Sequence, residues 1–169
     1  STCEIVVHDS ATQRLFTTSA VAGFLDIIDF SDPTMPSVIS SVDMNSYGGV
    51  TSVAVKNGIV AVASPNADET QNGSVVFFDT NGTFLKQVTV GALPDMITFS
   101  PDGTKVLTAN EGQPNTDYSI DPEGSVSIID ISGGIPSLTQ ANVTTLLFTN
   151  YNANEASLIA SGVRKLKTT

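Results

Sequence analysis

Between Asn110 and Gly124 the sequence reads NEGQPNTDYSIDPEG, which gathers Glu111, Asp117, Asp121 and Glu123 with the amides Asn110 and Asn115. Calcium takes about six to eight oxygen ligands from carboxylates, amide carbonyls, backbone and water, so these residue types suit it. Four carboxylates this close also repel unless a cation or solvent screens them. The candidate metal-ligating set is therefore Asn110, Glu111, Asp117, Asp121 and Glu123, with calcium as the ion. The competing reading is a solvated acidic loop whose Asp and Pro residues serve only its turns. Long loops in compact domains tend to be either functional or disordered, which keeps both readings open.

A second acidic stretch, SPNADETQNG from Ser64 to Gly73, holds Asp68 and Glu69. Its spacing mimics an EF-hand poorly: Thr70 stands where Asp or Asn is wanted, and Asp79 ends an apolar run where a bidentate Glu would sit. His8 is the single histidine, so the chain cannot supply a His-rich zinc site of the hydrolase kind. There is no Gly-x-Ser-x-Gly elbow, no phosphate-binding Gly-x-x-x-x-Gly-Lys loop and no HExxH pair in the sequence. No catalytic constellation is legible.

The elements that must position these residues repeat. A glycine is followed by a short apolar run and an aspartate in GFLDIID (Gly23–Asp29), GSVVFFD (Gly73–Asp79) and GSVSIID (Gly124–Asp130). The aspartates are spaced 50 and 51 residues apart, a period typical of β-propeller blades. Each recurring aspartate reads as a turn-setting residue at the end of a buried strand, not a catalytic one. Ahead of each run lies a hairpin pattern, Val6–Thr18 around Asp9, Val53–Ala63 around Asn57-Gly58, and Met96–Ala109 around Asp102-Gly103. A fourth strand follows at Val38–Val42, Phe84–Val90 and Val143–Phe148.

The sequence thus predicts an all-β chain, one β-propeller segment over residues 1–169 of about three to three and a half four-stranded blades. Its repeats fall at about 1–48, 49–93 and 94–150, followed by a tail over 151–169. A short helix is expected over Asn154–Lys167, capped by Asn154, with Leu158 and Ile159 on its apolar side and Gly162 stopping it. Closed propellers need about four to eight blades, so the segment is expected to be incomplete as a ring. Its partner would be the remainder of a propeller or another copy of the chain. The two acidic loops then lie at the same end of neighbouring blades.

Composition narrows the partners further. With 17 acidic and 7 basic residues the net charge is −10, which argues against nucleic acid. The one basic cluster, Arg164, Lys165 and Lys167, is terminal. Apolar residues at 40% against 14% charged are enough for a packed core, and no apolar run reaches the length of a membrane span. Cys3, the single cysteine, cannot form an internal disulfide. Low Lys content and abundant Ser, Thr, Asn and Gly point to a secreted or cell-surface protein. Sequons at Asn72, Asn81 and Asn142 are glycosylation acceptors only in a eukaryotic secretory pathway.

The run from Val90 to Ser132, VGALPDMITFSPDGTKVLTANEGQPNTDYSIDPEGSVSIIDIS, resembles the choice-of-anchor I family of surface proteins. Its pattern of GALPDM, PDG, ANEGEP and DPEGSVSIID is matched at Gly91–Met96, Pro101–Gly103, Asn110–Pro114 and Asp121–Asp130, except that Gln113 replaces the usual acidic residue. GSVVFFDTNG and LLFTNYNANEASLIASGVR carry the likeness over about Gly49–Arg164. The resemblance implies an exported surface or matrix propeller, with calcium or biomineral association in some relatives and an alkaline phosphatase label on others. The expected function is a non-catalytic, calcium-associated interaction module with a matrix, mineral or surface partner. The alternative is part of a secreted metal-dependent phosphoesterase whose catalytic groups lie outside this chain.

Overall fold

The structure, a computed structural model, describes residues 3–163. Twelve strands form three four-stranded antiparallel sheets, each built in simple sequence order. Blade 1 contains β1 (Val6–Asp9), β2 (Arg14–Ser19), β3 (Phe24–Asp29) and β4 (Ser37–Asp43). Blade 2 contains β5 (Ser52–Lys56), β6 (Ile59–Ser64), β7 (Asn72–Asp79) and β8 (Phe84–Ala92). Blade 3 contains β9 (Pro94–Phe99), β10 (Lys105–Asn110), β11 (Ser125–Asp130) and β12 (Val143–Leu147). The first strands β1, β5 and β9 lie side by side, as the innermost strands of consecutive blades do.

Short polar devices close the strand connections at one end, here termed the turn end. Asn57 and Gly58 both take positive φ (51° and 77°) between β5 and β6, the backbone twist that suits a tight hairpin. The recurring aspartates close the next connection in each blade. Asp29 accepts the Ser31 N–H, Asp79 those of Asn81 and Thr83, and Asp130 the N–H and hydroxyl of Ser132. The same Asx geometry recurs at Asp9 with Thr12 and at Asp102 with Ser100 and Thr104. Much of the chain's acidity therefore serves turn formation.

Strand alternation sends side chains to opposite faces, and blade 2 buries both. Val60, Val62, Val76 and Phe78 join Phe16, Leu25 and Ile27 of blade 1 in one core cluster. Ala61, Ala63, Val75 and Phe77 join Ile97, Val106 and Ile129 of blade 3 in the other. This explains why β7 reads as a continuous apolar run while β11 alternates. Among the described residues the outward faces of blades 1 and 3 have no such neighbour. Leu107, Val126 and Ile128 are only half-buried, and Met96 and Leu146 beside them are each 50% exposed.

The predicted helix is shorter than the sequence suggests. α1 spans Glu155–Ala160, and Asn154 stands at its N-cap without a side-chain cap bond. A 3-10 segment over Thr149–Asn154 occupies the preceding residues. Gly162, at φ +104°, lies just past its end, a conformation that favours glycine. The basic cluster Arg164, Lys165 and Lys167 and the end of the expected helix lie outside the described residues. Among the described residues no helix is long and apolar enough to cross a membrane.

Candidate functional site at the loop end

The loops after β2, β6 and β10 and the connections between blades all emerge at the opposite end, here the loop end. The longest, following β10, is fastened to the connection between blades 2 and 3. The Leu93 carbonyl accepts the Glu111 N–H at 2.9 Å and the Ala92 carbonyl that of Gly112 at 3.1 Å. Leu93 is buried and holds φ +48°, a strained conformation for a side chain of its size. Gly112 has φ +65°, and a Cβ there would sit 2.5 Å from the Pro122 carbonyl oxygen. The two ends of the loop therefore touch, and only glycine admits that approach. This contact accounts for Leu93 and Gly112.

The candidate ligands separate on inspection. Asn110 is 3% exposed at the end of β10. Its Oδ1 accepts the Thr108 hydroxyl at 2.9 Å, and its Nδ2 donates to the Ser125 and Ser127 hydroxyl oxygens at 3.0 Å each. This polar knot lies against Gly91 of blade 2, where a Cβ would collide with Ser125 Oγ and Asn110 Nδ2. Asn110 is thus a buried interblade residue, and its amide is already bonded within blade 3.

Asp117 is equally engaged. Its Oδ1 accepts the Ser119 hydroxyl at 2.7 Å and backbone N–H at 3.1 Å, next to Tyr118 at φ +59°. The Ser119 hydroxyl, then its N–H, holds the Asp117 carboxyl below the usual range. Asn115 bridges the same hairpin to Ser119 and Ile120. Glu111, Asp121 and Glu123 remain exposed. Among the described residues no three His, Cys, Asp or Glu side chains gather into a group able to hold a metal ion. In the folded loop Asn110 is directed into the blade interface and Asp117 into a turn.

Asp68 in the earlier loop has the same fate. It accepts the Thr70 hydroxyl at 2.7 Å and N–H at 3.1 Å, and the hydroxyl leads in lowering its pKa.

What the structure does bring together is charge of one sign. Glu4, Asp43, Asp68, Glu69, Asp95, Glu111, Asp117, Asp121 and Glu123 all belong to the loop end. Of the described basic residues, Arg14, Lys56 and Lys105 sit at the turn end, and Lys86 in the turn-proximal part of β8. Arg14 donates to the Thr80 carbonyl and Asn81 Oδ1 of the neighbouring blade, and Lys105 pairs with Asp130 at 3.2 Å. The sequence offered the shared end of two acidic loops; the placement of the four described basic residues away from it required the strand directions. Between blades 2 and 3 this end opens into a groove of about 330 Å³ whose polar lining includes Asn72, Thr89, Glu123 and Ser125.

Three radially arranged four-stranded sheets with an acidic loop face define a segment of a β-propeller. The chain belongs to the choice-of-anchor I family, whose domain model matches residues 4–169. No curated protein matches the sequence. Among solved structures, the chain is similar to Kuenenia stuttgartiensis hydrazine synthase, with a TM-score of 0.61 and 15% identity over 85% of this chain and 41% of that one. It is also similar to a putative 6-phosphogluconolactonase from Bacteroides fragilis, with a TM-score of 0.58 and 15% identity over 86% of this chain and 37% of that one. The chain therefore spans less than half the length of these structures, and the likeness concerns the fold alone.

Proposed function

We propose that this chain acts as a non-catalytic interaction module at the cell surface or outside the cell, and that its loop end is the contact face for a cationic partner surface. The carrying observation is the segregation of charge: the loop end holds nine carboxylates and, among the described residues, no Lys or Arg. Such a face focuses a negative potential that steers and orients a basic partner. Membership of the choice-of-anchor I family and the propeller fold fit a surface module. Short polar bonds hold the loop in shape, so little ordering entropy is lost on contact.

Retention on a poly-lysine layer, followed as salt is raised, tests the orientation. The pair Glu111→Lys and Asp121→Lys should lower the salt concentration for release far more than the equal charge change of Asp29→Lys with Asp32→Lys at the turn end. Circular dichroism checks that each variant is folded. Equal effects from the two ends would reduce the interaction to net charge and overturn the assignment. The non-catalytic part has its own test: turnover of a chromogenic phosphate ester by the purified chain, with calcium or zinc added, would refute it.

A further inference from the structure

We infer that two grooves at the loop end are one repeated subsite, and that together they hold a chain of neutral sugars. The charge of that end plays no part in this. Beside the groove of about 330 Å³ between blades 2 and 3 lies a second, of about 220 Å³, between blade 2 and the connection that leaves blade 1 at Tyr47. Asn72 and Thr89 line both. Each groove also contains a serine from a glycine-to-aspartate run, Ser125 in the first and Ser74 in the second. These serines are register equivalents, opposite Asn110 on β10 and Ser64 on β6. Blade 1 has Phe24 at the same place, opposite Ser19. Both grooves are therefore built from neighbouring blades that this chain itself supplies, whatever adjoins the outward faces of blades 1 and 3.

Both serines are buried, Ser125 at 5% and Ser74 at 6% exposed, and both accept an amide. Ser125 Oγ accepts Asn110 Nδ2 at 3.0 Å, and Ser74 Oγ accepts Gln87 Nε2 at 2.9 Å. A hydroxyl that accepts still has its own proton to donate, and among the described residues neither proton has an acceptor. The side chains of Asn72 and Thr89 on the shared wall, and of Thr145 in the larger groove, make no hydrogen bond to a described residue either. Buried donors facing free amides and hydroxyls suit a ligand that both accepts and donates at every unit, as a sugar does. Among the described residues neither lining contains Lys, Arg or His, and that of the smaller groove contains no carboxylate, so a charged ligand finds no countercharge common to both. A peptide strand is shut out at this point. Gln140 bonds the Thr89 N–H at 2.8 Å and the Thr89 carbonyl at 2.9 Å, which closes the outer edge of β8 where a strand would add. Two like subsites side by side match a ligand built of like units.

Electrophoresis of the chain through gels containing a neutral polysaccharide, in turn a β-glucan, an α-glucan, a mannan and a galactan, tests the assignment. At least one should retard it, and equally in salt that releases the chain from poly-lysine, so failure here and failure of the loop-end reading are told apart. A tetrasaccharide of the retarding sugar should compete about tenfold better than the monosaccharide, as two linked subsites require. Ser74→Ala and Ser125→Ala should each weaken binding about fivefold to tenfold, the effect of one neutral hydrogen bond. Asn72→Ala and Thr89→Val alter exposed side chains that make no hydrogen bond, and should weaken binding as much; they decide the matter if a serine variant fails to fold. Absence of retardation by all these polysaccharides, retardation abolished by salt, a monosaccharide that competes as well as the tetrasaccharide, or Asn72→Ala and Thr89→Val binding like the original would each overturn the assignment.

Discussion

Replacing Asn110 by Ala separates a ligand from a packing residue. The substitution removes three side-chain hydrogen bonds, from Thr108 and to Ser125 and Ser127, at a site 3% exposed. A buried hydrogen bond contributes about 1 kcal/mol net, and a polar group stranded without its partner costs about 1–3 kcal/mol. The three hydroxyls can rotate, so some recover weaker bonds, and the loss should be about 2–4 kcal/mol. In urea this appears as a lower midpoint with an unchanged slope, about 1–2 M for a slope of about 2 kcal/mol/M. The loss should be the same in chelator and in millimolar calcium, because the bonds involve no ion. A loss below about 1 kcal/mol, or one present only with calcium, would refute the packing role and favour Asn110 as a ligand.

Acid should weaken the turns in a defined window. Hydroxyl and N–H donors hold Asp102 at about 2, led by the Ser100 hydroxyl, and Asp130 at about 2, led by the Ser132 hydroxyl. A carboxyl depressed in the folded state contributes stability that is complete above its ordinary pKa near 3.8 and lost as pH falls towards 2. Acid unfolding followed by circular dichroism should therefore steepen below about pH 4, and Asp102→Ala and Asp130→Ala should each lower stability at pH 7 while flattening that acid limb; an unchanged limb would remove the turns as its cause. Calcium gives a further outcome. The thermal midpoint should be the same in chelator and in millimolar calcium, since a bound ion would raise it by mass action, and a rise lost in Asp117→Asn with Asp121→Asn would show that the loop refolds around the metal.

The periodicity of the glycine-to-aspartate runs was enough to place β3, β7 and β11, because alternation and turn chemistry are local. The turn role of Asp29, Asp79 and Asp130 was legible for the same reason. Asn110 was not, since its partners at Ser125 and Ser127 come from across the sheet and its burial comes from Gly91 of another blade. The turn role of Asp117 was legible only in part: a Ser follows two residues on, as it follows Asp130, and in both places its hydroxyl bonds the carboxylate, but the same residue types also suit a cation. The short helix was legible in its place and in its stop, since α1 covers Glu155–Ala160 and Gly162 follows just past its end.

The two-sided burial of blade 2 also sets an order of events on the ribosome. Once residues up to Phe78 have emerged, Val60, Val62 and Val76 can close on a finished blade 1, while Ala61, Ala63, Val75 and Phe77 wait for partners as distant as Leu138. Through that interval the nascent chain presents a greasy sheet to the cytosol or to an export channel, and domains growing from the N terminus are vulnerable at such moments. Blade 2 is thus in need of shelter while blade 3 is being made, although both of its faces are buried once blade 3 has folded against it.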